Sequence, residues 1–255
     1  MRVLILGGTT EARRLAERLS MRRDLDVTLS LAGRTIHPVP HPVPLRVGGF
    51  GGAEGLADHL NGEGVDRLID ATHPYATVIS ENAAHAAKLT GVPLLALRRP
   101  PWTAIAGDRW TDVADADAAA RALGSAPRNV FLALGRNEIA VFEAAPQHRY
   151  LVRSVDPVEP PLAVPQAVYI QARGPFSEAD DRALIAAHAI DVVVSKNSGG
   201  SGAYGKIAAA RALGIEVILL RRPALPDVAA VTTIDEAVAW LDRADHGPSS
   251  PVRGV

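Results

Sequence analysis

Short runs of consecutive apolar residues alternate along most of the chain with longer stretches whose apolar positions recur every three or four residues. The runs predict strands and the periodic stretches predict helices. In the first half, strands fall at 2–6, 27–31, 45–47, 67–71 and 93–97, with helices at 10–20, 53–60 and 76–90. After a break at Arg98-Arg99-Pro100-Pro101-Trp102 a second series begins. Its strands are at 130–134, 150–154, 168–171, 192–195 and 216–220, its helices at 114–123, 137–144, 178–187, 203–213 and 234–241. Alternation of strand and helix builds parallel sheets covered on both faces. The expected fold class is α/β: two Rossmann-like parallel-sheet lobes, 1–98 and 99–243, with an inter-lobe cleft as the default ligand site. Proline density between 35 and 44 excludes a persistent element there, and the polar, aperiodic 244–255 reads as a disordered tail. No short tandem repeat stands out, and the likeness of the halves is one of architecture.

Composition narrows the function classes. The 255 residues are 47% hydrophobic and 4% aromatic, with 22 glycines and 19 prolines, which is enough chain for two small cores. A net charge of -1 provides no bulk attraction to nucleic acid or an anionic membrane, so an anionic ligand must be held by local basic groups. The chain has no cysteine, which excludes disulfides, thiolate metal sites and a cysteine nucleophile. The first apolar run, Val3-Leu4-Ile5-Leu6, is too short for a signal segment, and no run approaches the ~18 residues of a membrane span. A cytoplasmic protein with no nucleic-acid or membrane partner is expected.

The candidate chemistry lies at strand ends. Asp70-Ala71-Thr72-His73-Pro74-Tyr75-Ala76 places a hydroxyl, an imidazole and a phenol where a strand's carboxyl end meets a helix start, the place where open α/β sheets bind ligands. The first strand runs into Gly7-Gly8-Thr9-Thr10-Glu11. Glycine backbone lets a pyrophosphate approach, and the helix start that follows favours anions. The three-glycine dinucleotide fingerprint is not met, since Thr9 and Ala12 stand at its later positions; a Thr-capped turn without ligand accounts for the same residues. The second strand leads to Gly33-Arg34-Thr35, where an arginine suits a 2'-phosphate and an acid would suit a free ribose hydroxyl. If a dinucleotide binds, NADPH is expected. Gly48-Gly49-Phe50-Gly51-Gly52 either lines the same site or forms a flexible turn. His73 has no second ligand at metal spacing, so no metal site is expected. In the second half, Lys196-Asn197-Ser198-Gly199-Gly200-Ser201-Gly202, followed by Tyr204 and Lys206, makes an anion cradle that lacks the end of a Walker loop. Arg136, Arg153 and Arg173 stand at other strand ends, and the set favours an acidic ligand.

Taken in order, Leu-Gly-Gly-Thr-Thr-Glu-Ala at 6–12, the 70–76 segment, Arg99-Pro100-Pro101-Trp102, Ala-Arg-Gly-Pro-Phe-Ser at 172–177, the 196–200 loop and Arg222-Pro223 resemble the precorrin-6A reductase family of cobalamin biosynthesis. The match runs over nearly the whole chain, to about residue 241. The resemblance implies NADPH-dependent reduction of one double bond of the precorrin-6A macrocycle, giving precorrin-6B. It implies that Gly7, Gly8, Thr9, Thr10 and Glu11, with Gly33, Arg34, Thr35 and Thr72, hold the nucleotide. His73, Tyr75 and Lys196 become candidate catalytic groups, with His73 and Lys196 expected to orient substrate more than to do chemistry. Arg99, Trp102, Arg173, Asn197, Ser198, Gly199, Gly200, Tyr204 and Lys206 are expected to bind the polycarboxylated tetrapyrrole, whose product passes by transient hand-over to neighbouring pathway enzymes. The family often has Asp where Asn197 stands, and an acid-free loop suits a ligand rich in carboxylates. Tyr75, His73, Lys196 and bulk water all remain open as the proton donor.

Two other readings compete. A short-chain dehydrogenase shares the first strand-loop-helix, but its Tyr followed four residues later by Lys is absent: Ile79, Ser154, Arg173 and Ala208 stand at those positions. A two-lobed binding or sensing protein fits the same fold and charge, and it predicts ligand affinity without NADPH oxidation.

Overall fold

The computed structural model of the protein describes residues 1–33 and 41–245. Arg34, Thr35 and the segment 246–255 therefore lie outside the described residues. In chain order the first elements are β1 (Arg2–Leu6), α1 (Thr10–Leu19), β2 (Asp26–Leu31), β3 (Leu45–Val47), α2 (Ala53–Gly62), β4 (Arg67–Asp70), α3 (Thr77–Thr90) and β5 (Leu94–Leu97). Then come β6 (Trp110–Val113), α4 (Ala116–Ala122), β7 (Asn129–Ala133), β8 (Arg149–Ser154), β9 (Ala167–Gln171), α5 (Glu178–Ala187), β10 (Val192–Lys196), α6 (Gly205–Leu213), β11 (Glu216–Leu220), β12 (Ala230–Val231) and α7 (Ile234–Asp245).

The strands form two six-stranded sheets, ordered β3-β2-β1-β4-β5-β12 and β9-β8-β7-β10-β11-β6, and all pairs are parallel. The two orders are equivalent. Each half of the chain lays down five strands as 3-2-1-4-5, and the sixth position is filled by the strand that follows the fifth strand of the other half. The exchange occurs at a short repeat, Leu97-Arg98-Arg99-Pro100 and Leu220-Arg221-Arg222-Pro223. The same bond closes both sheets: Arg98 N–H donates to Val231 O and Arg221 N–H to Val113 O, each at 2.8 Å.

The chain accordingly divides into Met1–Arg99 with Pro223–Val255, and Pro100–Arg222. Residues 223–243, expected in the second lobe, belong with the first. In that unit one face of the sheet is covered by α1 and α7, with Leu15, Leu19, Ala237 and Leu241 buried against Ile5 and Leu95. The other face carries Leu56, Leu60, Ala83 and Ala86 against Leu4 and Leu68. In the second unit Phe131, Val193 and Leu219 pack with Ile185, Ile207 and Ala210. Sheets covered on both faces explain the unbroken apolar strands. The helix expected at 137–144 is instead two 3-10 turns, Arg136–Glu138 and Ala140–Ala144, whose three-residue bonds, such as Ala145 N–H to Phe142 O, are typical of short connectors.

Candidate functional site

In the first sheet strand order reverses between β1 and β4, which register Leu6 opposite Asp70. The loops leaving these two strands are tied together. Ala71 N–H donates to Leu6 O at 2.9 Å. Thr9 caps α1, its hydroxyl accepting from Ala12 N–H at 3.0 Å and donating to Ala71 O at 2.8 Å. Between them Gly7 lies so close to β2 that a Cβ would stand 2.6 Å from Leu29 Cδ1, and Gly8 has φ +112°, a conformation that favours glycine.

Asp70 is 4% exposed and anchors the second loop. One of its carboxylate oxygens accepts from the Thr72 hydroxyl at 2.6 Å and the Thr72 N–H at 3.1 Å; the other accepts from the Ser80 hydroxyl at 2.6 Å. Ser80, buried in α3, thus holds the strand end against the helix. His73 Nδ1 accepts from Tyr75 N–H at 3.3 Å, so the neutral ring carries its proton on Nε2. The two rings lie 5.6 Å apart.

These loops border a cavity of about 510 Å³ within the first unit. It is lined by Gly7 and Gly8 after β1, by Ser30 and Gly33 at the end of β2, by the 48–52 glycine segment, and by Thr72, His73 and Tyr75 after β4. The volume falls within the range of small-molecule and cofactor sites. Of the residues expected to hold a nucleotide, Gly7, Gly8, Gly33 and Thr72 line it. The Gly48–Gly52 segment lines it too, held by Arg46, which donates to Gly48 O at 2.7 Å and Gly49 O at 2.9 Å and stacks 3.7 Å from the Phe50 ring centroid.

Glu11, in the first turn of α1, is ion-paired with Arg99, and both are largely buried. Arg99, expected to bind substrate, therefore neutralises an acid in the first turn of α1. Arg13, one of two arginines beside Glu11, pairs with Glu17 at 2.7 Å.

The second unit reverses strand order between β7 and β10. Lys196, at the end of β10, is ion-paired with Glu138, whose other oxygen accepts from Gly135 N–H at 3.0 Å. Several residues expected to bind substrate make contacts within the protein. The Asn197 amide bonds both backbone polar groups of Trp102. Trp102 Nε1–H donates to Gly200 O at 2.8 Å. Arg222 donates to the carbonyls of Asn197 at 2.9 Å and Ser198 at 3.0 Å, and a Cβ on Gly199 would overlap the Pro100 carbonyl. The Tyr204 hydroxyl accepts from Arg211.

Lys206 is 3% exposed. Its ammonium donates to Ala203 O at 2.7 Å and sits 5.2 Å from the Trp102 ring centroid. Burial, reinforced by Arg153 and opposed by Asp181, pushes this amine down to about 7. Arg153 is itself buried, ion-paired with Asp181 and stacked on Phe176. These groups organise the loop; Arg173 is exposed.

Sequence reasoning did not single out Asp70, Ser80 or Glu138 as site residues. A signal existed for the first: a carboxylate closing an apolar strand, two residues before a threonine, has few reasons to be buried other than to accept from its own loop. Among the described residues no cluster of metal-ligating side chains is present, and no helix is long and apolar enough to cross a membrane.

Residues 2–242 match the family model described as precorrin-6x reductase CbiJ/CobK. A precorrin-6A reductase of Sinorhizobium sp. is 58% identical over 245 residues, covering 96% of this chain and 93% of that protein. A precorrin-6A reductase of Rhodobacter capsulatus is 52% identical over 254 residues, covering 100% and 99%. A solved structure titled CobK precorrin-6A reductase superposes over 100% of both chains with a TM-score of 0.92 at 51% identity. The order of motifs, the paired parallel sheets and a near full-length match all lead to one conclusion: the chain belongs to the precorrin-6x reductase CbiJ/CobK family.

Proposed function

We propose that this chain is an NADPH-dependent reductase of precorrin-6A, giving precorrin-6B. The observation that carries the cofactor half is the cavity that runs along the carboxyl ends of β2, β1 and β4, the path a dinucleotide takes across a switch point. The residues fit such a ligand. Glycine backbone at Gly7 and Gly8 leaves room for a pyrophosphate, and no acid stands at 31–33, where selectivity for a free 2'-hydroxyl requires one. The names of the full-length relatives supply the substrate.

Bound NADPH supplies the hydride. The chain's own residues position and protect. Gly7, Gly8 and the α1 start hold phosphates, with Arg99 neutralising the one acid placed among them. Thr72, His73 and Tyr75 line the β4 side of the cavity, assigned to the nicotinamide. Lys196, paired with Glu138, and the exposed Arg173 are basic groups of the second unit suited to a polycarboxylated macrocycle, and the bonds from Trp102 and Arg222 hold the Lys196 loop in one shape.

The test is anaerobic incubation with NADPH and precorrin-6A, and separately with its cobalt form, following macrocycle absorbance and NADPH oxidation. A spectral change coupled to oxidation with either substrate is expected, and the substrate that responds identifies the form used. No oxidation with either, despite measurable ligand binding, would favour the binding-protein reading.

A further inference from the structure

We infer that Thr72 recognises the carboxamide of the nicotinamide as a hydrogen-bond acceptor, and that Asp70 and Ser80 impose that polarity. The inference rests on the NADPH reading above and extends it to one group of the cofactor. A threonine hydroxyl has one proton and two lone pairs, so in a site it can donate or accept until something fixes the proton. Here a carboxylate fixes it. Asp70 has no proton to give and accepts from both hydroxyls, Thr72 on one oxygen and Ser80 on the other, each at 2.6 Å. Ser80 lies 3.4 Å from the Thr72 oxygen, but its single proton is directed at Asp70. Thr72 is thus left with lone pairs only, on a residue that lines the cavity.

A dinucleotide laid across the switch point places its ribose-reading end over β2 and the nicotinamide over β4. Thr72 follows β4 by two residues. The group on a nicotinamide that donates to an acceptor is the carboxamide NH2. Burying Asp70 and Ser80, at 4% and 3% exposure, is costly unless every lone pair and proton is used, and this arrangement uses both hydroxyl protons. Asp70 and Ser80 are positioning residues, since neither lines the cavity.

The experiment measures binding of NADPH and of its reduced 3-acetylpyridine analogue, which has a methyl where the carboxamide has NH2, by titration calorimetry without macrocycle. Wild-type protein is expected to bind NADPH ~3- to 10-fold more tightly than the analogue, the worth of one net hydrogen bond. Thr72→Val, which keeps the shape, should bring NADPH to the analogue's affinity and leave the analogue unchanged. Asp70→Ala, checked for a native circular dichroism spectrum, removes the acceptor that holds the Thr72 proton and lets the hydroxyl turn it into the cavity, so it too should narrow the gap. Ser80→Ala should preserve the gap, because Thr72 keeps its own carboxylate oxygen. A gap that survives Thr72→Val, or a loss shared equally by both ligands, overturns the inference while leaving the NADPH reading in place. A wild-type protein that binds neither ligand overturns both.

Discussion

The side-chain amide of Asn197 is bonded to both backbone polar groups of Trp102, accepting from its N–H at 2.7 Å and donating to its C=O at 3.0 Å. This pairing needs an amide, because a carboxylate has no proton to give the carbonyl. Asn197→Asp should set an oxygen against the Trp102 carbonyl in a half-buried place, costing about 1–3 kcal/mol of unfolding free energy. Urea unfolding of the two proteins is the check, and equal midpoints would show that the amide is not used as described.

The pair formed by Glu11 and Arg99 makes a different kind of prediction. Removing the guanidinium leaves a largely buried carboxylate at the start of α1, beside the position assigned to phosphates. Arg99→Met should therefore weaken NADPH binding about tenfold, and adding Glu11→Gln should recover most of it, as coupling between contacting charges requires. An Arg99→Met variant that binds NADPH like the wild type would place Glu11 outside the phosphates' reach.

Much of this fold was legible because β1, β10 and β11 are apolar runs buried on both faces. The strand β6 was not, since Trp-Thr-Asp-Val at a sheet edge is mostly solvent-facing and carries no such pattern. The amphipathic period of α7 announces a helix, but its period says nothing about which sheet it covers; that is decided by Ala237 and Leu241 meeting Leu15 and Leu19. The site divides in the same way. A polar loop at the end of β4 is a local feature, and its Thr72, His73 and Tyr75 border the cavity. Whether a polar loop residue faces ligand or backbone is not local. Asn197 and Lys206 look alike in sequence to groups that meet a substrate, and only partners distant along the chain, Trp102 above all, show that they hold the loop itself.

Lys206 predicts a pH dependence. The unfolded chain keeps this amine's proton up to about 10.5, whereas burial pushes the folded value to about 7. Between those values the unfolded state binds the extra proton, so stability should rise with pH across the window. Tyr150, pushed up to about 12 by burial, acts with the opposite sign above its ordinary value of 10.0. The histidines His41, His59 and His148, lowered by burial from 6.5, act below the window. Lys206→Met should flatten the rise and unfold later than wild type below pH 7. Denaturant midpoints below and within the window test this; parallel profiles for the two proteins would mean that the lysine is solvated.

The exchange of terminal segments also carries a prediction. Leu241 is 0% exposed and packs with Leu15 and Leu19 of α1, while Trp240 lies 5.7 Å from the Arg67 guanidinium of β4. Its helix therefore supports the sheet whose strand ends border the cavity, although it follows the second unit in the chain. Leu241→Ala should cost about 2–5 kcal/mol, the range for a truncated core leucine. A ligand that binds only the native unit raises the stability of that unit by mass action. In thermal unfolding the variant should consequently lower the transition that NADPH raises, and saturating NADPH should restore part of the loss. Were α7 to cover the second sheet, the same substitution would lower a transition on which NADPH has no effect.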